Sequence, residues 1–132
     1  MRITKPKERW FKVPEDEDNA RVLIRQIPPG ERHDIMDKAF KQSIEYHTNE
    51  EGALVPVMNQ TTDRKLDREQ TVLKSVSAWE NFFDIDETLM TCTPENVLRA
   101  AREIDGFVEF VNESRQKLEK DITTEERELE KN

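Results

Sequence analysis

Glycine, cysteine and long apolar runs are scarce in this chain of 132 residues. The three glycines, Gly30, Gly52 and Gly106, stand in no phosphate-cradling pattern such as GxxxxGK(S/T) or GxGxxG. The single cysteine, Cys92, excludes an internal disulfide and is typical of a protein from a reducing compartment. The longest aliphatic run, Val22–Ile24, is too short to cross a bilayer. These absences argue against a nucleotide-binding loop, a disulfide framework and a membrane span.

Charge is abundant instead, at 38% of residues, with a net value of −8 that lies mostly in the second half. No cluster of Lys and Arg offers a surface for nucleic-acid phosphates or anionic lipid headgroups. The first residues, Met1–Pro6, lack the apolar core of a signal peptide. We therefore expect a cytoplasmic protein that binds neither nucleic acid nor membrane.

Catalytic combinations are also few. Cys92 is the only candidate nucleophile, and the two histidines that could activate it, His33 and His47, lie in other predicted elements. With no cofactor motif and no nucleophile–base pair at close spacing, we expect neither an enzyme nor a bound cofactor.

One acidic segment has the ligand spacing of a calcium loop. Asp84, Asp86 and Glu95 supply carboxylates at positions 1, 3 and 12. Leu89 takes the place of the glycine at the sharp turn, and Pro94 lies inside the loop. The residues therefore favour a solvated turn over a metal site.

The first part of the chain has the patterns of hairpins. Residues 9–13 and 20–27 alternate between apolar and polar side chains and predict an antiparallel pair. A helix follows from Pro28 to Lys41, and residues 42–48 and 53–58 predict a second hairpin.

The turn of that second hairpin is assigned to Asn49–Gly52, where Gly52 is free to take a positive φ. Pro56 lies inside its second strand and has no N–H to donate to a neighbour. That strand is therefore expected at a sheet edge or with a bend.

The rest of the chain predicts helices. Apolar residues at helical spacing run from Leu66 to Phe83 and predict one long helix over residues 63–84. Thr93 and Pro94 predict the start of another helix, and a last one begins at Phe107. The expected core combines Trp79, Phe83, Leu98 and Phe107.

The last helix is highly charged beyond Val111 and keeps only a narrow apolar seam, Leu118, Ile122 and Leu129. Such a seam is typical of a coiled-coil edge, so these three residues are expected to be exposed and to form a protein interface. The predicted architecture is α+β. A single domain, 1–111, has N-terminal β-hairpins and about three C-terminal helices, and residues 112–132 form a protruding charged helical arm.

The order of these features resembles the small tail assembly chaperones of long-tailed phages and prophages. The resemblance lies in five segments, Trp10–Pro14, Leu23–Pro29, Trp79–Asp86, Cys92–Asn96 and Phe107–Val111. The acidic turn of that family usually carries a glycine where this chain has Glu87.

The resemblance implies a binding protein that coats the tape measure protein and recruits tail tube subunits in the host cytoplasm. It is compatible with self-association. The alternative is a structural tail or head–tail connector component that stays in the virion, which detection of the chain in purified particles would reveal.

In that family a ribosomal frameshift near the end of the gene often makes a longer product, and Glu130–Asn132 allow one here. The codons GAA-AAA-AAC contain the slippery heptamer A-AAA-AAC. We expect an AAA codon at Lys131 and a −1 frame that stays open for tens of codons. The nucleotide sequence checks this, and an AAG codon or an early stop in that frame would contradict it.

Overall fold

The computed structural model describes residues 1–130, which form five strands and four helices. In chain order these are β1 (Glu8–Lys12), β2 (Arg21–Arg25), α1 (Pro29–Ala39), β3 (Phe40–Thr48), β4 (Leu54–Thr62), α2 (Arg64–Ser75), β5 (Val76–Glu80), α3 (Pro94–Glu103) and α4 (Phe107–Glu130). The expected mixed α+β class is confirmed. Lys131 and Asn132, which belong to the predicted frameshift site, lie outside the described residues.

An antiparallel sheet of three strands, in the order β1-β2-β5, forms the base of the body. The predicted first hairpin is confirmed, with Trp10 opposite Leu23 across β1 and β2. Strand β2 is central, and its alternating Val22 and Ile24 are completely buried. The sheet therefore has one apolar face, which the helices cover.

The helix expected over residues 63–84 is shorter than predicted. Its N-cap is Asp63, whose side chain accepts from the N–H of Leu66, but the helix ends at Ser75. Val76–Glu80 is then strand β5, which pairs with β2 and places Trp79 opposite Val22. The sequence Val-Ser-Ala-Trp-Glu fits both periods, and pairing with the second edge of β2 selects the strand.

An aromatic cluster occupies one end of the core, and only part of the predicted core is correct. Trp79 stacks on Phe82 with ring centroids 4.2 Å apart, and Phe107 meets both rings edge-on. Leu98 is only half-buried. Phe83 is exposed. Strand β5 ends at Glu80, three residues before Phe83, and it is Phe82 whose side chain is buried in the core. The Trp79 indole N–H donates to the carbonyl of Met90 at 2.8 Å.

The two C-terminal helices begin where the sequence predicts. Thr93 caps α3 by accepting from the N–H of Asn96, with Pro94 in the first turn. Gly106 has φ +81°, a left-handed conformation that suits glycine, and α4 begins at the next residue. None of the helices within residues 1–130 has the length and apolarity that a membrane span requires.

Helix α4 packs along the main sheet as far as Ile122, and its residues 123–130 are exposed. Its inward face carries Phe107, Val111, Ser114, Leu118 and Ile122, all buried in the same core as β2. The expectation that Leu118 and Ile122 are exposed is therefore wrong, and only Leu129 is exposed. The predicted boundary between residues 111 and 112 falls inside this continuous buried face.

The physical reason is the spacing of that face. Successive inward residues are three or four positions apart, so one side of the helix stays on the sheet for more than four turns. Contacts with β1, β2 and α2 cover the seam, and an Arg9–Asp121 salt bridge flanks it.

Leu118→Ala should therefore destabilise the fold by about 2–5 kcal/mol, because it opens a cavity at a side chain that is only 2% exposed. Leu129→Ala is the matched control on the same helix, at a side chain that is 76% exposed. It should change the free energy of unfolding by less than about 0.5 kcal/mol. Urea denaturation checks both, and equal effects would contradict the packing of α4.

Candidate interaction hairpin

Strands β3 and β4 form a two-stranded sheet of their own, and the predicted second hairpin is confirmed. The strands are nine residues each and pair without a break from Phe40↔Thr62 to Thr48↔Leu54. The Asn49 side chain accepts from the N–H groups of Glu51 and Ala53, and Gly52 takes φ +82°. Both strands extend further towards the body than the sequence predicted.

The hairpin projects from the body with almost all of its surface in solvent. Every residue of the two strands is exposed except Asn59, which is half-buried. At its base the N–H of Asp63 donates to the carbonyl of Ala39, so the ends of α1 and β4 are tied together. A two-stranded hairpin alone is only marginally stable in water, so packing of a further strand or a helix against this one would stabilise it.

One face of the hairpin is apolar. Side chains alternate between faces along a strand, and paired residues share a face. In this register one face carries Phe40, Ile44, Tyr46, Leu54, Pro56 and Met58, with Gln42, Gln60 and two threonines between them. Tyr46 is 66% exposed and Leu54 70%. Exposed apolar residues this closely grouped mark an interaction surface.

The apolar face continues onto the body through Phe40. A cavity of about 420 Å³ lies at the base of the hairpin, lined by Met36, Ala39, Phe40 and Thr62 with two aspartates, Asp37 and Asp67. Met36 is itself well exposed. The hairpin face and this cavity form one surface.

The opposite face is mixed and electrically balanced. It carries Lys41, Glu45 and His47, with Val55 and Val57 opposite them. Glu45 lies 3.4 Å from the His47 Nε2, and Lys41 lies 3.5 Å from Asp63. The pKa of Asp63 is lowered mainly by the N–H of Leu66, and the ammonium of Lys41 adds to the effect.

The predicted interface residues are not on this surface. Leu118 and Ile122 are core residues, and Leu129 lies on the exposed end of α4. The sequence predicts this hairpin but does not by itself mark it as a site. The signal that could have revealed it is Ile44 and Tyr46 facing Leu54 and Met58, with no other strand predicted beside them.

Cys92 lies half-buried at the edge of the core. Burial raises the pKa of its thiol, which favours the protonated form over the nucleophilic thiolate. Its surroundings are those of a packing residue.

The candidate calcium carboxylates are used inside the protein. Both oxygens of Asp84 accept from the Arg99 guanidinium, at 2.9 and 3.0 Å, and Asp86 accepts from Thr88. Glu87 takes φ +65°, so this turn keeps a conformation that glycine favours. Within residues 1–130 no group of three or more His, Cys, Asp or Glu side chains is placed to hold a metal ion.

No protein-family model, curated protein or solved structure gives a significant match to this chain. Function is therefore inferred from the geometry of the hairpin, together with the resemblance given above.

Arg99 lowers the pKa of Asp84 to about 2, with help from the N–H of Ile85. Arg99→Gln should raise that pKa towards its ordinary 3.8, which an NMR titration of the carboxyl carbon measures. Because the folded-state pKa is the lower one, the stabilisation by this pair is present above pH 3.8 and is lost as the pH falls through about 2.

The matched control is Arg102→Gln, because Arg102 forms the equivalent pair with Glu69. It should leave the Asp84 titration unchanged while raising the pKa of Glu69, which Arg102 lowers. An Asp84 pKa that does not respond to Arg99→Gln would contradict the assignment.

Proposed function

We propose that this chain is a tail assembly chaperone of a phage or prophage. On this proposal it is a binding protein and not an enzyme, and it acts in the host cytoplasm on the tape measure protein and tail tube subunits. The observation that carries the proposal is the exposed apolar face of the β3–β4 hairpin. The resemblance in the segments from Trp10 to Val111 supplies the class of partner.

The size of the face suits a helix as its ligand. A strand of nine residues is about 30 Å long, which is also the length of a helix of about 20 residues. The resemblance implies that the tape measure protein is long and helical. An apolar strip about 30 Å long can cover one segment of such a helix at a time.

The charge of the body supports the same role. A net charge of −8 keeps a protein with an exposed apolar face in solution and disfavours unspecific association. The hairpin strands carry only Lys41 and Glu45 as full charges, so their apolar face lies outside the acidic surface. A chaperone that holds a partner and later releases it needs this separation.

The double variant Ile44→Thr with Met58→Thr should weaken binding of a tape measure fragment about tenfold or more. It removes a facing pair from the apolar face but keeps residues that suit strands. The control is Val55→Thr with Val57→Thr, which removes apolar area from the opposite face of the same hairpin. Calorimetric titration against the tape measure protein of the same genome measures both.

Thermal melts should show the same midpoint for both double variants, because neither pair belongs to the body core. Equal loss of binding in the two variants would contradict the role of the apolar face. Absence of binding by the natural chain would overturn the proposed function. Recovery of the chain in purified particles would favour the structural tail or connector component.

A further inference from the structure

The two outer edges of the β3–β4 hairpin are different. The backbone N–H of Asn49 donates to the carbonyl of Ala53, and that of Asp63 donates to the carbonyl of Ala39. These two bonds show which facing pairs of residues are hydrogen-bonded to each other within the hairpin. Pairs alternate in an antiparallel ladder, so the odd-numbered residues bond inside the hairpin and the even-numbered ones direct their N–H and C=O groups outward. In residues 1–130 neither outer edge is paired with another strand.

Proline closes one of these edges. Pro56 occupies an outward-directed position in the middle of β4, so it leaves the hairpin's own bonds intact and removes a donor from the outer edge. Such a proline is a common protection against strand addition. Strand β3 has no proline, and the outward N–H groups of Gln42, Ile44 and Tyr46 remain available to a further strand.

We propose that the β3 edge binds a second copy of this chain. The two β3 strands pair antiparallel about a two-fold axis that passes between the two copies of Ser43. The two hairpins then form one sheet of four strands. In this register Gln42 of each copy exchanges backbone hydrogen bonds with the partner's Ile44, and the N–H of Tyr46 donates to the partner's Phe40 carbonyl. This pairing needs no tape measure protein and stands apart from the proposed function.

The register follows from self-complementarity of β3. Residues whose numbers add up to 86 face each other, so Lys41 faces the partner's Glu45 on the mixed face, and by symmetry the pair forms twice. On the apolar face Phe40 lies opposite the partner's Tyr46, again twice. Opposite charges and aromatic pairs directly across two strands are favourable. Both Lys41 and Glu45 are exposed and accessible to a second copy.

Electrostatics and stability favour the same arrangement. The acidic bodies of two copies repel each other, but β3 has no net charge with His47 neutral, so copies can meet there. Four strands with one apolar face meet the usual requirement for a stable sheet, which two strands do not. The partner's Tyr46 also lies beside Phe40, which lines the cavity at the base of the hairpin.

The first test is Gln42→Pro, which copies onto β3 the protection that Pro56 gives to β4. It removes an outward N–H but none of the hydrogen bonds inside the hairpin. Because both copies carry the substitution, the dimer loses two backbone hydrogen bonds. The dimer dissociation constant from analytical ultracentrifugation should rise about tenfold or more. The matched control is Gln60→Pro, opposite Gln42 on the edge that is already closed, which should leave the dimer unchanged.

The second test is a cysteine cross-link in a Cys92→Ser background. Ser43→Cys places the two thiols on either side of the two-fold axis, at a facing pair without backbone hydrogen bonds. The Cα separation there is about 4.5 Å, which a disulfide can span. Mild oxidation should produce a covalent dimer. Asn59→Cys, opposite Ser43 on β4, lies two strands further from its counterpart and should stay monomeric.

A natural chain that remains monomeric at millimolar concentration would overturn the proposal, as would a dimer that survives Gln42→Pro. A dimer in which Ser43→Cys does not cross-link would overturn the register on which the proposal rests. The measurements use the purified full chain alone, so their outcome is independent of whether it binds a tape measure protein.

Discussion

Burial of the central strand β2 beneath helix α4 is the contact on which the rest of the structure depends. Val22 and Ile24 have no exposed surface, and they meet the α4 face that contains Val111 and Leu118. Once β2 is central, its two edges must be paired, and β1 and β5 supply the partners. The aromatic cluster of Trp79, Phe82 and Phe107 then closes the end of this core.

The same arrangement explains why the β3–β4 hairpin is free. The apolar surface of the main sheet is already covered by helices, and α1 carries the chain away before β3 begins. The second hairpin therefore has an apolar face with nothing in residues 1–130 to cover it. Stability is concentrated in the body, and most of the surface that can bind a partner lies on the hairpin. Binding can thus change without disturbing the core.

The faces and the edges of the hairpin can bind different kinds of partner. The apolar face offers area to a ligand such as a helix, whereas the β3 edge offers directional backbone hydrogen bonds to another strand. Pro56 closes the β4 edge, so a paired assembly ends after two copies instead of growing into a filament. A four-stranded platform would also present twice the apolar area to a long partner.

Features that depend only on neighbouring residues could be predicted from the amino acids alone. Both hairpins, the turn at Asn49–Gly52, the N-cap at Thr93 and the start of α4 after Gly106 all follow from local backbone and capping preferences. Other features depend on contacts between distant parts of the chain. Val76–Glu80 became a strand because β2 lacked a partner on one edge, and Leu118 and Ile122 became core residues because the sheet lies under them. Periodicity shows that a side of an element is apolar, but only the packed fold decides whether the protein itself or a partner covers that side.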